Sequence, residues 1–206
     1  MSHARRELLL IVDVQRDFCD QGALAVPGAD EIVPLVNRLS QRYSHVALTQ
    51  DWHPSGHQSF ASAHAGATAF SSMRMPYGLQ TLWPEHCVQG SAGAEFHPGL
   101  DTSRAELIVR KGYDPLIDSY SAFFENDRVT PTGLGGYLRE RGFSRVVLCG
   151  LATDYCVAYS AQDARRLGFE AAVLLPACRA IDLDGSLADA LERMRGADVL
   201  LLESID

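Results

Sequence analysis

Cys156, Asp13 and Lys111 are the side chains of this sequence best suited to nucleophilic catalysis. Cys156 follows Gly150-Leu-Ala-Thr-Asp-Tyr155, which reads as a strand, a turn and a helix start. A thiol at a helix N-terminus sits where the helix dipole and free N–H groups favour thiolate. The same groups, the N–H of Cys156 and of Ala152, could hold the negative oxygen of a tetrahedral intermediate. A sulfur nucleophile needs a base, and no histidine follows Cys156 to supply one. Asp13, at the end of an apolar run, is the available carboxylate, ionised there only if paired. Lys111 is the only lysine among 18 basic residues, and it offers a compact ammonium that a planar guanidinium does not replace. Each residue also has an ordinary reading: most free cysteines pack as small hydrophobes, an aspartate after a strand often caps a loop, and a bias toward arginine can leave a single lysine by chance.

A second constellation is Asp51-Trp-His53, with His57 four residues on and His86 in Trp83-Pro-Glu-His-Cys87. Asp and His two apart on an extended segment share a face and can chelate one ion. Such oxygen and nitrogen donors suit Zn²⁺, Fe²⁺ or Mn²⁺, and three protein ligands leave a position for water or substrate. Loop histidines of this kind are also common as plain surface residues.

The elements that must position these groups follow from periodicity. Residues 7–14 are a nearly continuous apolar run, as expected of a strand buried on both faces. A helix capped by Asp30 places Ile32, Leu35, Val36 and Leu39 on one face. Strands are predicted at 45–49, 106–110, 145–150, 169–175 and 198–202, and helices at 134–141, 155–167 and 187–194. Residues 51–104 form a long loop region rich in Gly, Pro, Ser and His, and loops of that length are usually functional. The alternation predicts an α/β fold, three layers with a mostly parallel central sheet, in one domain spanning 1–206. Ligands of such sheets bind beyond the carboxyl ends of the strands, where Asp13, Asp51, Lys111 and Cys156 all fall.

Composition narrows the partners. The net charge of −8 and the lack of any basic run beyond Arg-Arg argue against nucleic acid. The apolar run at 8–12 is too short for a signal core or a membrane span, so a cytoplasmic protein is expected. Five scattered cysteines without a CxxC pair suggest neither a disulfide framework nor a Cys-ligated zinc. No G-x-G-x-x-G follows the first strand, and Gly133-Leu-Gly-Gly136 reads as a helix cap or turn.

Five ordered segments carry a resemblance over essentially the whole chain: Ile11-Val-Asp13-Val-Gln-Arg-Asp17-Phe18, Gln50-Asp51-Trp-His53-Pro-Ser-Gly-His57-Gln-Ser-Phe60, Trp83-Pro-Glu-His86-Cys-Val-Gln89, Arg110-Lys111-Gly112, and Gly150-Leu-Ala152-Thr-Asp-Tyr-Cys156-Val157. The sequence resembles the nicotinamidase/pyrazinamidase branch of the isochorismatase-like cysteine hydrolases. That resemblance implies a triad of Asp13, Lys111 and Cys156 beside one divalent ion, zinc first among the candidates, held by Asp51, His53 and His86, with His57 as a fourth candidate ligand. It implies a cis peptide at Leu151–Ala152, an oxyanion hole from Ala152 and Cys156, and a pocket walled by Phe18, Leu24, Trp83 and Tyr120. The implied substrate is nicotinamide, with pyrazinamide as a second, and a homo-oligomer is compatible with it. Position 155 is Tyr where some members carry His. The alternatives are another amide or carbamoyl hydrolase of the superfamily, and a non-catalytic metal-binding or redox-sensing module. An isochorismatase proper would lack the nucleophilic cysteine.

Overall fold

The computed structural model describes residues 6–205. Its strands are β1 (Glu7–Val12), β2 (Val46–Asp51), β3 (Ser72–Met75), β4 (Gly78–Thr81), β5 (Ala105–Lys111), β6 (Arg145–Leu151), β7 (Glu170–Arg179) and β8 (Leu200–Leu202). Its helices are α1 (Ala29–Arg42), α2 (Leu134–Glu140), α3 (Ala158–Arg166) and α4 (Ser186–Gly196). Six strands make one sheet in the order β5-β2-β1-β6-β7-β8, and every neighbouring pair is parallel. Leu8 to Val12 are at most 1% exposed, as the continuous apolar run requires of a central strand covered on both faces. α1 packs against β6 and β7, while α3 packs on the same two strands and on α4. The architecture is the three-layer α/β fold that the alternation of elements predicts.

From β1 the chain runs outward through β2 to β5 on one side, then builds β6, β7 and β8 on the other. The reversal beside β1 opens a crevice at the carboxyl ends of the strands, the usual ligand position in open parallel sheets. Lys111 ends β5, Asp51 ends β2 and Asp13 follows β1, while Cys156 lies in a π-helical turn (Thr153–Val157) just after β6. Four adjacent strands thus deliver four reactive side chains to one rim.

Several local expectations are revised. The N-cap of α1 is Gly28 at φ 71°, not Asp30, whose carboxylate instead accepts the Asp20 N–H at 3.0 Å. A residue in the left-handed region can turn the chain into the helix without a side-chain cap, and glycine adopts it without steric cost. The predicted helix at 155–167 begins as the π turn and becomes α-helical only at Ala158. Gly133 does cap α2. The 51–104 region is irregular but pinned: His53 pairs with Val88, Phe60 pairs with Trp83, and β3 and β4 form an antiparallel hairpin. No helix among the described residues is long and apolar enough to cross a membrane.

Candidate active site and metal centre

Lys111 is the hub of the rim. Its side chain is fully buried, and Nζ lies 2.8 Å from Asp13 Oδ2, 2.5 Å from Asp51 Oδ1, 3.0 Å from the Ser119 carbonyl and 3.5 Å from Cys156 Sγ. A single ammonium with three rotatable donors can reach Asp13, Asp51 and the Ser119 carbonyl while lying beside Cys156 Sγ, which explains why the lone lysine stands here. The two carboxylates raise the Lys111 pKa well above its ordinary value although burial opposes the charge. Asp13 takes φ 48°, which turns its side chain into the crevice, and Thr49 Oγ1 donates to Asp13 Oδ1 at 2.6 Å. Asp13 Oδ2 is ion-paired to Lys111 at 2.8 Å, and the Cys156 thiol is hydrogen-bonded to the Asp13 carboxyl. One donor atom from each of Asp13, Asp51 and Cys156 lies within 4.8 Å of the others.

The electrostatics divide the two carboxylates. Burial raises the Asp13 pKa, Lys111 opposes this, and the charge of Asp51 adds to the rise. Asp51 is held well below the carboxylate range because Lys111 and His53 outweigh its burial. Asp13 is therefore the better proton acceptor of the two. Burial also pushes the Cys156 thiol well up, with Lys111 pulling the other way and both carboxylates adding to the rise. Desolvation and two negative neighbours outweigh the favourable N-terminal position, so the free protein holds a thiol.

Asp51 also faces a second group. Its Oδ2 lies 3.6 Å from His53 Nε2 and 3.8 Å from His86 Nε2, and donor atoms of the three fall within 4.8 Å of one another. Nδ1 of His53 is 2.9 Å from the Gly112 carbonyl, and Nδ1 of His86 is 2.8 Å from the Pro84 carbonyl. Carbonyls only accept, so both Nδ1 atoms carry hydrogen, which leaves each Nε2 facing Asp51 and, once unprotonated, free to ligate an ion. This buried oxygen–nitrogen–nitrogen set fits a divalent ion. His57 stands beside it, with ring centroids 4.6 Å from His53, but its Nδ1 is engaged by Ser59 Oγ and its Nε2 by the Asp114 carbonyl, both at 2.7 Å. Gly112, at φ 66°, is required here because a Cβ would collide with the His53 ring. Gly112→Ala is expected to weaken metal binding about 10–100-fold through displacement of His53, measured by competition with a chelator. Unchanged affinity would show that the ring need not sit where it does.

Above these groups lies a half-open cleft whose empty space, including the part open to solvent, is about 280 Å³. Phe18, Leu24, Trp83 and Tyr120, the walls that the resemblance implies, line it together with Ala152 and Cys156. Tyr155, Asp118 and Ile181 line it as well. Trp83 and Tyr155 meet edge to face with centroids 4.9 Å apart. The Leu151–Ala152 peptide is trans, since no peptide bond among the described residues is cis. The chain reverses there through Ala152 at φ 57°, ψ 62°, without the larger cost of a non-proline cis bond.

Other residues hold the site without having been singled out for a role. Gln15, fully buried, accepts the Asp51 N–H and donates to the Asp51 carbonyl, both at 2.8 Å. Asp17 Oδ2 accepts the Cys87 N–H at 2.7 Å, beside His86. Gln80, on β4, donates to Asp118 Oδ2 at 2.7 Å and to the Tyr120 hydroxyl at 2.9 Å. Asp154 accepts the N–H groups of Ile181 and Asp182 at 3.0 and 2.8 Å and the Ser186 hydroxyl, which fastens the pocket rim to the turn carrying Cys156. Gln15 and Asp17 sit in the matched first segment, which was the one signal pointing to them.

Behind Lys111, burial pushes the Glu125 carboxyl up to about 7, against the pull of Ser119 and Lys111. The folded state thus keeps a proton that the unfolded chain gives up. Its contribution to stability is full below the ordinary glutamate value and is lost as pH rises through about 7. Glu125→Gln should match the parent in urea midpoint near about pH 4 and exceed it near about pH 8. A difference independent of pH would contradict this.

The isochorismatase domain pattern matches residues 7–204. The chain is 50% identical over 204 residues, 99% of its length and 95% of the relative's, to the nicotinamidase of Acinetobacter baylyi. Among solved structures, a nicotinamidase/pyrazinamidase of Acinetobacter baumannii superposes with a TM-score of 0.95 at 48% identity, covering 98% of this chain and 97% of that one. The pyrazinamidase of Pyrococcus horikoshii, solved in complex with zinc, superposes with a TM-score of 0.77 at 35% identity, covering 97% and 99%.

Proposed function

Because this chain belongs to the isochorismatase domain family, we propose that it hydrolyses nicotinamide, and pyrazinamide with it, to the ring carboxylate and ammonia through a thioester on Cys156. The observation that carries this reading is the placement of Cys156 Sγ 3.5 Å from a Lys111 ammonium that is ion-paired to Asp13 at 2.8 Å, under an aromatic-walled cleft. Its similarity to nicotinamidases over nearly the whole chain supports the substrate.

Asp13 takes the thiol proton as Sγ attacks the carboxamide carbon, so the thiolate exists only while it reacts. Lys111 keeps Asp13 oriented and offsets the negative charge. The first N–H groups of a helical turn lack intrahelical acceptors, and those of Ala152 and Cys156 stabilise the oxyanion. The C–N bond breaks as Asp13 returns its proton to the leaving nitrogen, giving ammonia. Asp13, again a base, then activates the water that opens the thioester, releasing the carboxylate and the thiol. Phe18 and Trp83 flank the flat ring. Asp51, His53 and His86 would hold a divalent ion, with zinc favoured by the donor set and by the zinc-bound relative, and iron or manganese as the alternatives. Such an ion supplies a Lewis acid for the ring nitrogen of the substrate. His57 is left out of the ligand set because both its ring nitrogens are engaged. Five cysteines without a disulfide suit the reducing cytoplasm, which is the location we infer.

The test is ammonia release from nicotinamide by purified protein of recorded metal content, before and after a chelator. Release that falls at least about 10-fold on chelation and returns with metal is expected. No release from metal-replete protein would overturn the substrate assignment in favour of another amide or carbamoyl group.

A further inference from the structure

Away from the catalytic rim, Cys19, Asp30 and His97 bring together a sulfur, an oxygen and a nitrogen. One donor atom of each lies within 4.8 Å of the other two. Cys19 and Asp30 lie 11 residues apart and His97 comes from a distant loop, each held by its own backbone. Cys19 closes the short 3₁₀ turn Arg16–Phe18, with its N–H donating to the Arg16 carbonyl at 3.1 Å. Asp30 lies in the first turn of α1. The N–H of His97 donates to the Val14 carbonyl at 2.9 Å. Cys19 is 2% exposed, and Asp30 and His97 stand at the surface side of the cluster.

We propose that Cys19, Asp30 and His97 form a second cation site, selective for a thiophilic divalent ion such as Zn²⁺, independent of the Asp51, His53 and His86 group. The donor set suits it: zinc accepts thiolate, imidazole and carboxylate together, and three protein ligands leave a fourth position for water. Burial first, then the charges of Asp30 and Asp20, push the Cys19 thiol up to about 12, so the sulfur keeps its proton until an ion displaces it. Among the described residues the ion-pair partner of Asp30 is the His97 ring, whose Nε2 is 3.5 Å from Asp30 Oδ2. A dication would neutralise the Asp30 carboxylate and the thiolate it creates.

Binding replaces the Cys19 and His97 contacts to Asp30 and releases the Gly99 N–H from His97. Asp30 Oδ1 keeps the Asp20 N–H, so Oδ2 is the oxygen offered. His97 Nδ1 now accepts the Gly99 N–H at 3.1 Å, so Nε2 carries the ring hydrogen. Coordination through Nε2 moves that hydrogen to Nδ1 and leaves the Gly99 N–H to water at an exposed position. The metal–sulfur bond forms as the S–H bond breaks, and the thiol proton goes to solvent, one per ion, with no change in oxidation state. Phe18 and Leu24 flank this segment and line the substrate pocket, so an ion here fastens one pocket wall to α1.

Co²⁺ is the probe, because only a thiolate ligand gives the intense near-ultraviolet sulfur-to-cobalt band and the Asp51 group contains no sulfur. Metal-stripped full-length protein carrying Cys156→Ala, which removes the pocket thiol, is titrated with Co²⁺. We expect two equivalents bound by metal analysis and a thiolate band that saturates with one of them. Cys19→Ser should abolish the band and one equivalent while the other is retained. His97→Ala, a milder change nearer the surface, should weaken the band-forming equivalent at least about 10-fold, and serves if Cys19→Ser fails to fold. A protein that binds one Co²⁺ with no thiolate band, or a band that survives Cys19→Ser, would overturn the proposal.

Discussion

Cys156→Ala should fold with the thermal midpoint of the parent to within a few degrees, keep its metal, and hydrolyse nicotinamide at least about 10,000-fold more slowly. Losing a nucleophile removes the covalent route altogether, whereas losing one hydrogen-bond donor of the oxyanion hole costs only about 100–1,000-fold. The fold should survive because the side chain lost is small: Cys156 sits in a π turn that keeps its backbone bonds, including Val157 N–H to the Ala152 carbonyl at 3.2 Å. Metal should survive because the sulfur is not among the Asp51, His53 and His86 donors. Substrate binding should also persist, since the aromatic walls are untouched. Residual turnover within about 100-fold of the parent would remove Cys156 from the chemistry.

Lys111→Met should damage both activity and stability. Methionine nearly keeps the volume of the lysine stem but leaves Asp13 and Asp51 buried beside each other without the ammonium that serves both. Breaking a buried ion pair on one side costs about 3–5 kcal/mol because the remaining charge stays desolvated. For a chain of this size that is a drop on the order of 10 °C in midpoint. Part of the penalty is avoided if one carboxyl takes up a proton, and that proton would then occupy the base. Turnover should fall about 1,000-fold or more. Lys111→Arg should not restore it, because a planar fork cannot place one nitrogen among Asp13, Asp51, the Ser119 carbonyl and Cys156. A Lys111→Met protein with the midpoint of the parent and near-normal turnover would show that the hub is dispensable.

The parallel sheet and the rim residues were legible because they depend on local signals. Continuous apolar runs marked β1 and β6, and reactive residues at strand ends marked the rim. The only lysine in the chain marked the hub. What the sequence reading missed depends on groups meeting across long distances. Gln15 reaches Asp51 and Asp17 reaches the Cys87 N–H, yet neither contact leaves a periodic trace. The balance at the Cys156 thiol was legible only in part: its helix N-terminus is a local feature, while burial and the two carboxylates that oppose it come from elsewhere in the fold. At the start of α1, a left-handed glycine did the work assigned to Asp30, because Asp30 is occupied with Asp20. The Leu151–Ala152 bond was misjudged by resemblance rather than by physics. Energetics alone favour trans, and the left-handed Ala152 supplies the reversal instead.

The most direct test of the account is a rapid quench in acid during turnover of nicotinamide, followed by peptide mass analysis. The account predicts a nicotinoyl group on the peptide containing Cys156, appearing before steady state and absent from Cys156→Ala. Full turnover with no acyl group on that peptide at any time would mean that water attacks the amide directly, and would contradict the thioester mechanism.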